Sequence, residues 1–446
     1  MKILYVTHQF LPEYTGGTEI LTHKTAKGFM DRGHRVSVFT GSRKIAGDGE
    51  QEFDHYTYEG VPVYRYRYFH DGARSKNPVR DEYNNLRVED YFRDLTSKIK
   101  PNLVHIYHLH YLSISLIDIS KELHIPVIFT ATDYWLICPT CQLLNADGQL
   151  CAGPDQALAN CLIHLAGFTA AGRLINHMPR TISLLLLKTM GPIVRFLPGY
   201  KAMVEALKAR PRLIMEAFAR VDKVLVATSF MEQKLIEFGL APEKIERLPF
   251  GVEEIEPREF TDKGTGKALR VGFIGNLHPH KGAHVLCQAV RLLPKSVPMM
   301  VNIYGPQDLF PDYVRKLKDI AHNDPRICFC GPFPPYTLPK ILKELDVLVV
   351  PSLWHENTPL VIHSAQAAKV PVVATNVGGI REVVKDGVNG LLFEREDHCR
   401  LADILLSLHR DRKILVRLSK NVQSPVLIHD YVTRLEEIYC GLLGST

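Results

Sequence analysis

The stretch Arg270-Val271-Gly272-Phe273-Ile274-Gly275-Asn276-Leu277-His278-Pro279-His280-Lys281-Gly282 decides how the chain folds. Residues 270–274 are a short apolar run of strand length. Gly275 ends it, and Gly282 opens a helical pattern over 283–293. Strand, glycine-bearing exit and helix make the first half of a βαβ unit. The order returns downstream, where 300–304 lead into Gly305, 346–350 into Pro351-Ser352, and 370–375 into Gly378-Gly379. It also runs upstream. Residues 2–7 enter a loop with Pro12 and Gly16-Gly17, a helix follows over 18–31, and 35–40, 103–105 and 127–130 are further apolar strands. Strands alternating with helices specify parallel sheets. The expected fold class is therefore α/β, with two Rossmann-like doubly wound domains.

A chain of 446 residues holds two or three domains at ordinary domain sizes. The charged stretch 252–267, with Pro257, Gly264 and Gly266, reads as a linker between a first domain over 1–251 and a second over 268–424, with a terminal helix over 425–446. A net charge of +6 is mild, and no basic patch is interleaved with stacking aromatics, so nucleic acid is not an expected partner. The apolar start is too short for a signal peptide, and no apolar run reaches the roughly 18 residues of a membrane span. These features predict a cytoplasmic protein whose nine cysteines are mostly reduced. Residues 162–223 stand apart as a basic helical insert in which ten basic residues, Arg210 among them, face three acidic ones. Two readings stay open for it. It could lie on an anionic membrane surface, peripheral to the inner face of the plasma membrane and close to a lipid-linked acceptor. Alternatively, it extends the first domain's core.

In an open parallel sheet, ligands bind beyond the carboxyl ends of the strands. Gly16, Gly17 and Gly275 sit at such exits, where glycine lets backbone amides approach a phosphate or simply makes a tight turn. Lys281, in a glycine-flanked loop before a helix, can neutralise a diphosphate leaving group. In Pro351-Ser352-Leu353-Trp354-His355-Glu356-Asn357-Thr358-Pro359-Leu360-Val361-Ile362, Thr358 is suited to cap a helix and Pro359 to be its first residue. The amides of Leu360 and Val361 would then point at an anion. Glu356 beside them either orients sugar hydroxyls or complements the helix dipole.

The stretches PEYTGGTE, RGHRVSVFT, FIGNLHPHKG, PSLWHENTPLVI and VGGIREVVKDGVNGLL together resemble the family 4 retaining glycosyltransferases over nearly the full length. That resemblance implies the GT-B fold, two Rossmann-like domains facing each other across a cleft. The second half would bind a nucleotide-diphosphate sugar and the first a glycan or lipid-linked acceptor. The helix over 428–443 would return to the first domain. No metal or other cofactor would be required for the transfer. Position by position, the resemblance assigns Gly16 and Gly17 to the glycine loop facing the donor diphosphate. It assigns Lys281 to the phosphate, Glu356 to the donor sugar, and Pro359, Leu360 and Val361 to the helix start at the phosphate.

Three positions depart from the family pattern. Ser364 stands where a second glutamate would hold the ribose, Asn276 where an arginine would meet phosphate, and Thr132 where a histidine would precede Asp133. His110 is the candidate substitute for that histidine, so Glu356, Lys281, Asp133 and His110 form the expected catalytic set. The function expected is transfer of a sugar with retained anomeric configuration, in polysaccharide, glycolipid or other glycan synthesis. The alternative is a catalytically impaired protein that binds a nucleotide sugar in a sensing or partner role.

Cys138, Cys141, Cys151 and Cys161 fall close together, and His164 follows Cys161 at the spacing C-x2-H. Cys138 and Cys141 have the C-x2-C spacing of a zinc knuckle. A structural zinc, an iron–sulfur cluster or plain thiols are all compatible with this pattern.

Overall fold

The computed structural model describes residues 1–42, 51–67, 77–145, 147–155, 158–166, 200–260 and 266–444. The chain forms two compact units, one of Met1–Pro249 with Tyr431–Thr446 and the other of Phe250–Asp430.

The first unit is built on strands Lys2–Thr7 (β1), Arg35–Ser42 (β2), Phe53–Tyr58 (β3), Val61–Arg67 (β4), Leu103–Ile106 (β5), Val127–Ala131 (β6), Lys223–Val226 (β7) and Ile245–Arg247 (β8). They lie in the order β3-β4-β2-β1-β5-β6-β7-β8. Every pairing is parallel except β3 with β4. That hairpin turns on Glu59 and Gly60, both with positive φ, the twist that a two-residue hairpin loop requires. All residues of β5 and β6 are buried, as continuous apolar strands covered on both faces should be.

The second unit holds Leu269–Ile274 (β9), Met299–Tyr304 (β10), Ile327–Gly331 (β11), Val347–Val350 (β12), Val372–Thr375 (β13) and Gly390–Phe393 (β14). Their order is β11-β10-β9-β12-β13-β14, parallel throughout. In each sheet the winding reverses once, between β1 and β5 and between β9 and β12. Open α/β sheets bind ligands beyond the carboxyl ends of the strands at such switch points.

The described part of the expected connecting segment, 252–260, packs on the second unit. Val252 and Ile255 are buried in its core, and the Arg258 amide donates to Ala368 O at 3.1 Å. The helix Ile428–Gly444 instead serves the first unit from Tyr431 onward. Tyr439 stacks on Phe29 with ring centres 5.0 Å apart, and its hydroxyl meets His105 Nδ1. Glu436 takes Arg32 at 2.8 Å and His34 at 2.6 Å.

Residues 167–199, with Arg173, Arg180, Lys188 and Arg195 of the basic insert, lie outside the described residues. The described end of the insert is the helix Tyr200–Phe218, which buries Leu207, Ile214 and Phe218. Its Arg210 is fully buried, with Nε 2.9 Å from Glu82 Oε2 and the guanidinium also donating to the carbonyls of Trp135 and Leu136. A guanidinium enclosed in this way cannot meet a lipid headgroup, so Arg210 belongs to the core. Among the described residues no helix is long and apolar enough to cross a membrane.

Replacing Tyr439 by Ala removes a stacked ring from the first unit's core and should cost about 3–5 kcal/mol. Tyr439→Phe, losing only the hydroxyl, should cost about 1 kcal/mol. Urea unfolding monitored in the first unit checks both, and an Ala variant as stable as its parent would contradict this packing.

Candidate active site

In the second unit the loops that follow β9 and β12 flank the switch point and are pressed together. Gly282 has φ +74°, and a Cβ there would sit 1.8 Å from Pro351 O, so only glycine lets the two backbones approach this closely. The Leu353 amide donates to His280 O at 2.7 Å and straps one loop to the other. This contact brings Lys281 Nζ to 2.8 Å from Glu356 Oε1, while Ser352 Oγ donates to the same oxygen at 2.7 Å. The backbone of Glu356 is fixed from behind. Gly379 N donates to Glu356 O at 2.8 Å, and Gly378, at φ +49°, approaches so closely that a Cβ would lie 2.6 Å from that oxygen.

The Glu356 side chain is 5% exposed and that of Lys281 27%, so the cation is the member that faces solvent. Lys281 Nζ also stands 5.0 Å from the Trp354 ring centre. The neighbouring imidazoles are neutral. Burial, then the Lys281 charge, pushes His278 down to about 4 and holds His280 well below the usual imidazole range. Their rings lie 3.9 Å apart, with His278 against Phe310 and His280 against Trp354. The result is one fixed ammonium in an aromatic wall, next to a buried carboxylate.

The helix after this loop starts one residue later than the sequence predicts. Pro359 is extended, with φ −64° and ψ 122°, and takes the cap position of the helix Leu360–Ala367. Thr358 does not cap it, because its hydroxyl is spent on Asn357 O at 2.7 Å. Leu360 and Val361 are then the first two helical residues, whose amides have no acceptor within the helix. Ser364 is buried and its hydroxyl turns back to Leu360 O at 3.1 Å. Asn276 is exposed, and the Gly275 amide bonds Tyr304 O at 3.1 Å.

The first unit has a matching cluster at its own switch point. His108 follows β5 and places Nε2 3.0 Å from Asp133 Oδ2, and Asp133 Oδ1 also accepts the Trp135 amide at 2.9 Å. The expected substitute, His110, neighbours this pair, with its ring centre 5.9 Å from that of His108. Its backbone amide donates to His108 Nδ1 at 3.0 Å, while its ring lies 3.8 Å from Glu82. An amide can only donate, so the proton of a neutral His108 ring sits on Nε2 and is given to Asp133. Thr132 turns its hydroxyl to Tyr107 O at 3.3 Å.

Gly16 caps the helix Gly17–Asp31, and a Cβ on Gly16 would lie 2.5 Å from Glu19 Oε2, which folds back over the helix start. Burial pushes the Glu19 carboxyl up to about 7, against the opposing pull of its own amide and of His108. His8 completes the cluster, with its ring 4.1 Å from that of His108 and Nε2 3.9 Å from Glu19. His8, Glu19 and His108 were not singled out from the sequence. The available signal was position, since His8 and His108 each follow a strand that borders the switch point.

The cysteines divide into two groups. Cys138, Cys151 and Cys161 line one small cavity together with His164. Cys141 lies apart from it, within 4.8 Å of His108 and Asp133.

Comparison with known proteins places this architecture. The description "Glycosyl transferases group 1" matches residues 268–411, and "Glycosyltransferase Family 4" matches residues 15–142. A D-inositol 3-phosphate glycosyltransferase of Corynebacterium efficiens is 35% identical over 157 residues, covering 34% of this chain and 37% of that protein. One from Xylanimonas cellulosilytica is 30% identical over 258 residues, covering 54% and 61%. The chain thus spans between about a third and three fifths of the curated relatives it matches. Among solved structures, sucrose-phosphate synthase from Thermosynechococcus elongatus superposes with TM-score 0.67 at 16% identity over 100% of both chains. Anabaena HepE in complex with UDP gives TM-score 0.66 at 16% identity, over 99% of this chain and 100% of that one. With both units matched by these descriptions and folds, the chain belongs to the family 4, group 1 glycosyltransferases and has their GT-B fold.

Proposed function

We propose that the protein transfers a sugar from a nucleotide-diphosphate donor to a hydroxyl-bearing acceptor, with retention of configuration. The observation that carries this reading is the Lys281–Glu356 pair at the switch point of the second unit. A diphosphate arriving there offers Lys281 a stronger, doubly charged partner. Released from Lys281, Glu356 keeps Ser352 as a donor and has a carboxylate oxygen for a sugar hydroxyl. The amides of Leu360 and Val361 supply further donors to the departing phosphate, where negative charge develops. HepE was captured with UDP and with UDP-glucose, which is consistent with a uridine donor for this chain. Ser364 contributes no carboxylate to a ribose, so base and phosphate would carry nucleotide recognition.

In the first unit, Asp133 with His108 behind it is the polar group we assign to the acceptor. The relatives' names point to a polyhydroxylated acceptor, and a glycan or lipid-linked sugar fits that chemistry. The basic residues of the insert support glycan assembly beside an anionic membrane surface, while its described end, with Arg210, extends the first unit's core. The second reading, a nucleotide-sugar-binding protein with impaired catalysis, is favoured by Ser364 turning its hydroxyl into its own helix.

Lys281→Ala should lower turnover with a nucleotide sugar by roughly 100-fold or more, because leaving-group stabilisation is lost. Glu356→Gln should lower it as well, and proton NMR of the first-formed product should show the donor's anomeric configuration. Saturable nucleotide binding without transfer or hydrolysis would favour the second reading. Transfer untouched by both substitutions would refute the site.

The Glu19 carboxyl gives a pH prediction. Its folded value of about 7 exceeds the ordinary 4.5, so the folded state holds the extra proton. The stability associated with that proton is complete at low pH and is lost as pH rises toward 7, by up to roughly 3 kcal/mol. Glu19→Gln cannot ionise, so its melting temperature relative to the parent should rise between pH 5 and pH 8. An equal difference at both values would mean that Glu19 is already ionised in the fold.

A further inference from the structure

Between β6 and the helix Ala159–Ala166 the chain runs from 132 to 158 without a strand or helix among its described residues. It makes turns and one isolated bridge, Leu144 with Leu150. Cys141, Leu143 and Leu158 take left-handed backbone conformations with φ between 49° and 65°. Loops of this length inside a compact unit need something to order them. At the centre of the loop is a cavity of about 20 Å3, room for one water-sized particle. Cys138, Cys151, Cys161 and His164 all line it. Cys161 and His164 are three residues apart on one helix and so share a face.

The surroundings of these side chains suit a cation. Cys151 Sγ receives Asn160 Nδ2 at 3.3 Å and the Gly153 amide at 3.4 Å, and as a thiol it also donates to Gly153 O at 3.4 Å, a contact that metal binding would replace. A thiol is a weak acceptor, whereas a thiolate takes such donors well. Burial disfavours the charged form of the His164 ring, which also makes a hydrogen bond with the Leu144 backbone. A ring that donates one N–H to a carbonyl and turns its other nitrogen to the ion is the usual arrangement of a metal-bound histidine. The His108, Asp133 and Cys141 group is more compact, being the one set among the described residues whose three ligand atoms lie within 4.8 Å of one another. It lacks that arrangement. His108 Nδ1 already accepts the His110 amide, so Nε2 carries the proton and has no lone pair for a metal.

We propose that Cys138, Cys151, Cys161 and His164 form a structural zinc site that pins the loop following Asp133. Three thiolates and one imidazole make a closed tetrahedral set with no position for substrate. The four ligand atoms stand wider apart than in a filled site, so the ion draws the first turns of the helix Ala159–Ala166 toward Cys138 and Cys151. Cys141, although it completes the C-x2-C spacing, is not a ligand. This site is independent of the sugar-transfer reading.

The full chain, expressed in zinc-supplemented medium and purified without chelator, should carry about one zinc per chain by mass spectrometry of the metal. Cys151→Ser and His164→Ala should each weaken zinc retention against a chromogenic chelator about tenfold or more, and Cys141→Ser should leave it unchanged. If a variant fails to fold, the parent alone still decides the matter. Chelation should lower its melting temperature, added zinc should restore it, and cobalt substitution should give thiolate charge-transfer bands. Zinc below about a tenth of an equivalent with no melting response to added zinc would overturn the site. So would iron with acid-labile sulfide, or zinc that is lost with Cys141→Ser but kept in His164→Ala.

Discussion

The geometry of the second unit depends on the approach of two loops at Gly282 and Pro351. A side chain at Gly282 would occupy the position of the Pro351 carbonyl, so this contact exists only because one residue has no Cβ. From it follow the His280–Leu353 strap, the Lys281–Glu356 pair and the orientation of Ser352. An ion pair between a buried carboxylate and a half-covered ammonium is weak evidence of stability, since desolvation offsets much of the attraction. Its placement at the carboxyl ends of β9 and β12 is better explained by a ligand that one partner releases and the other receives.

The first unit solves a related problem with different groups. Its switch point gathers two histidines, a glutamate and an aspartate, and burial favours the neutral form of the glutamate. Glu19 is held near its neutral form at the helix start, and a neutral His108 gives its ring proton to Asp133. Asp133 is the member that accepts, taking the His108 ring and the Trp135 amide. The same loop runs on from Asp133 to the cysteine cavity, so the order of the cavity and the position of the aspartate are linked by a short length of chain.

Much of this was legible in the sequence. The strands at 2–7 and 270–274 and the helices after Gly16 and Gly282 coincide with observed elements to within a residue or so, because continuous apolar runs bounded by glycine have few alternatives. The pairing of Lys281 with Glu356 was not legible, since it depends on which loops become neighbours and hence on strand order. For the same reason the sequence, which offered His110 in place of the histidine missing at Thr132, did not single out His108, whose ring meets Asp133. The hairpin β3–β4 was missed because its alternating Phe53–Tyr58 and Val61–Arg67 are half polar, and Glu59-Gly60 is a quieter turn signal than Asn-Gly. Thr358 is a good cap by type, but the extended Pro359 displaced the helix start by one residue.

The central claim is that Lys281 exchanges Glu356 for a donor phosphate. A crystal structure of the protein with UDP bound tests it most directly. The account predicts Lys281 Nζ within hydrogen-bonding distance of a phosphate oxygen and Glu356 Oε1 left with Ser352. A diphosphate bound elsewhere, with Lys281 still joined to Glu356, would contradict it.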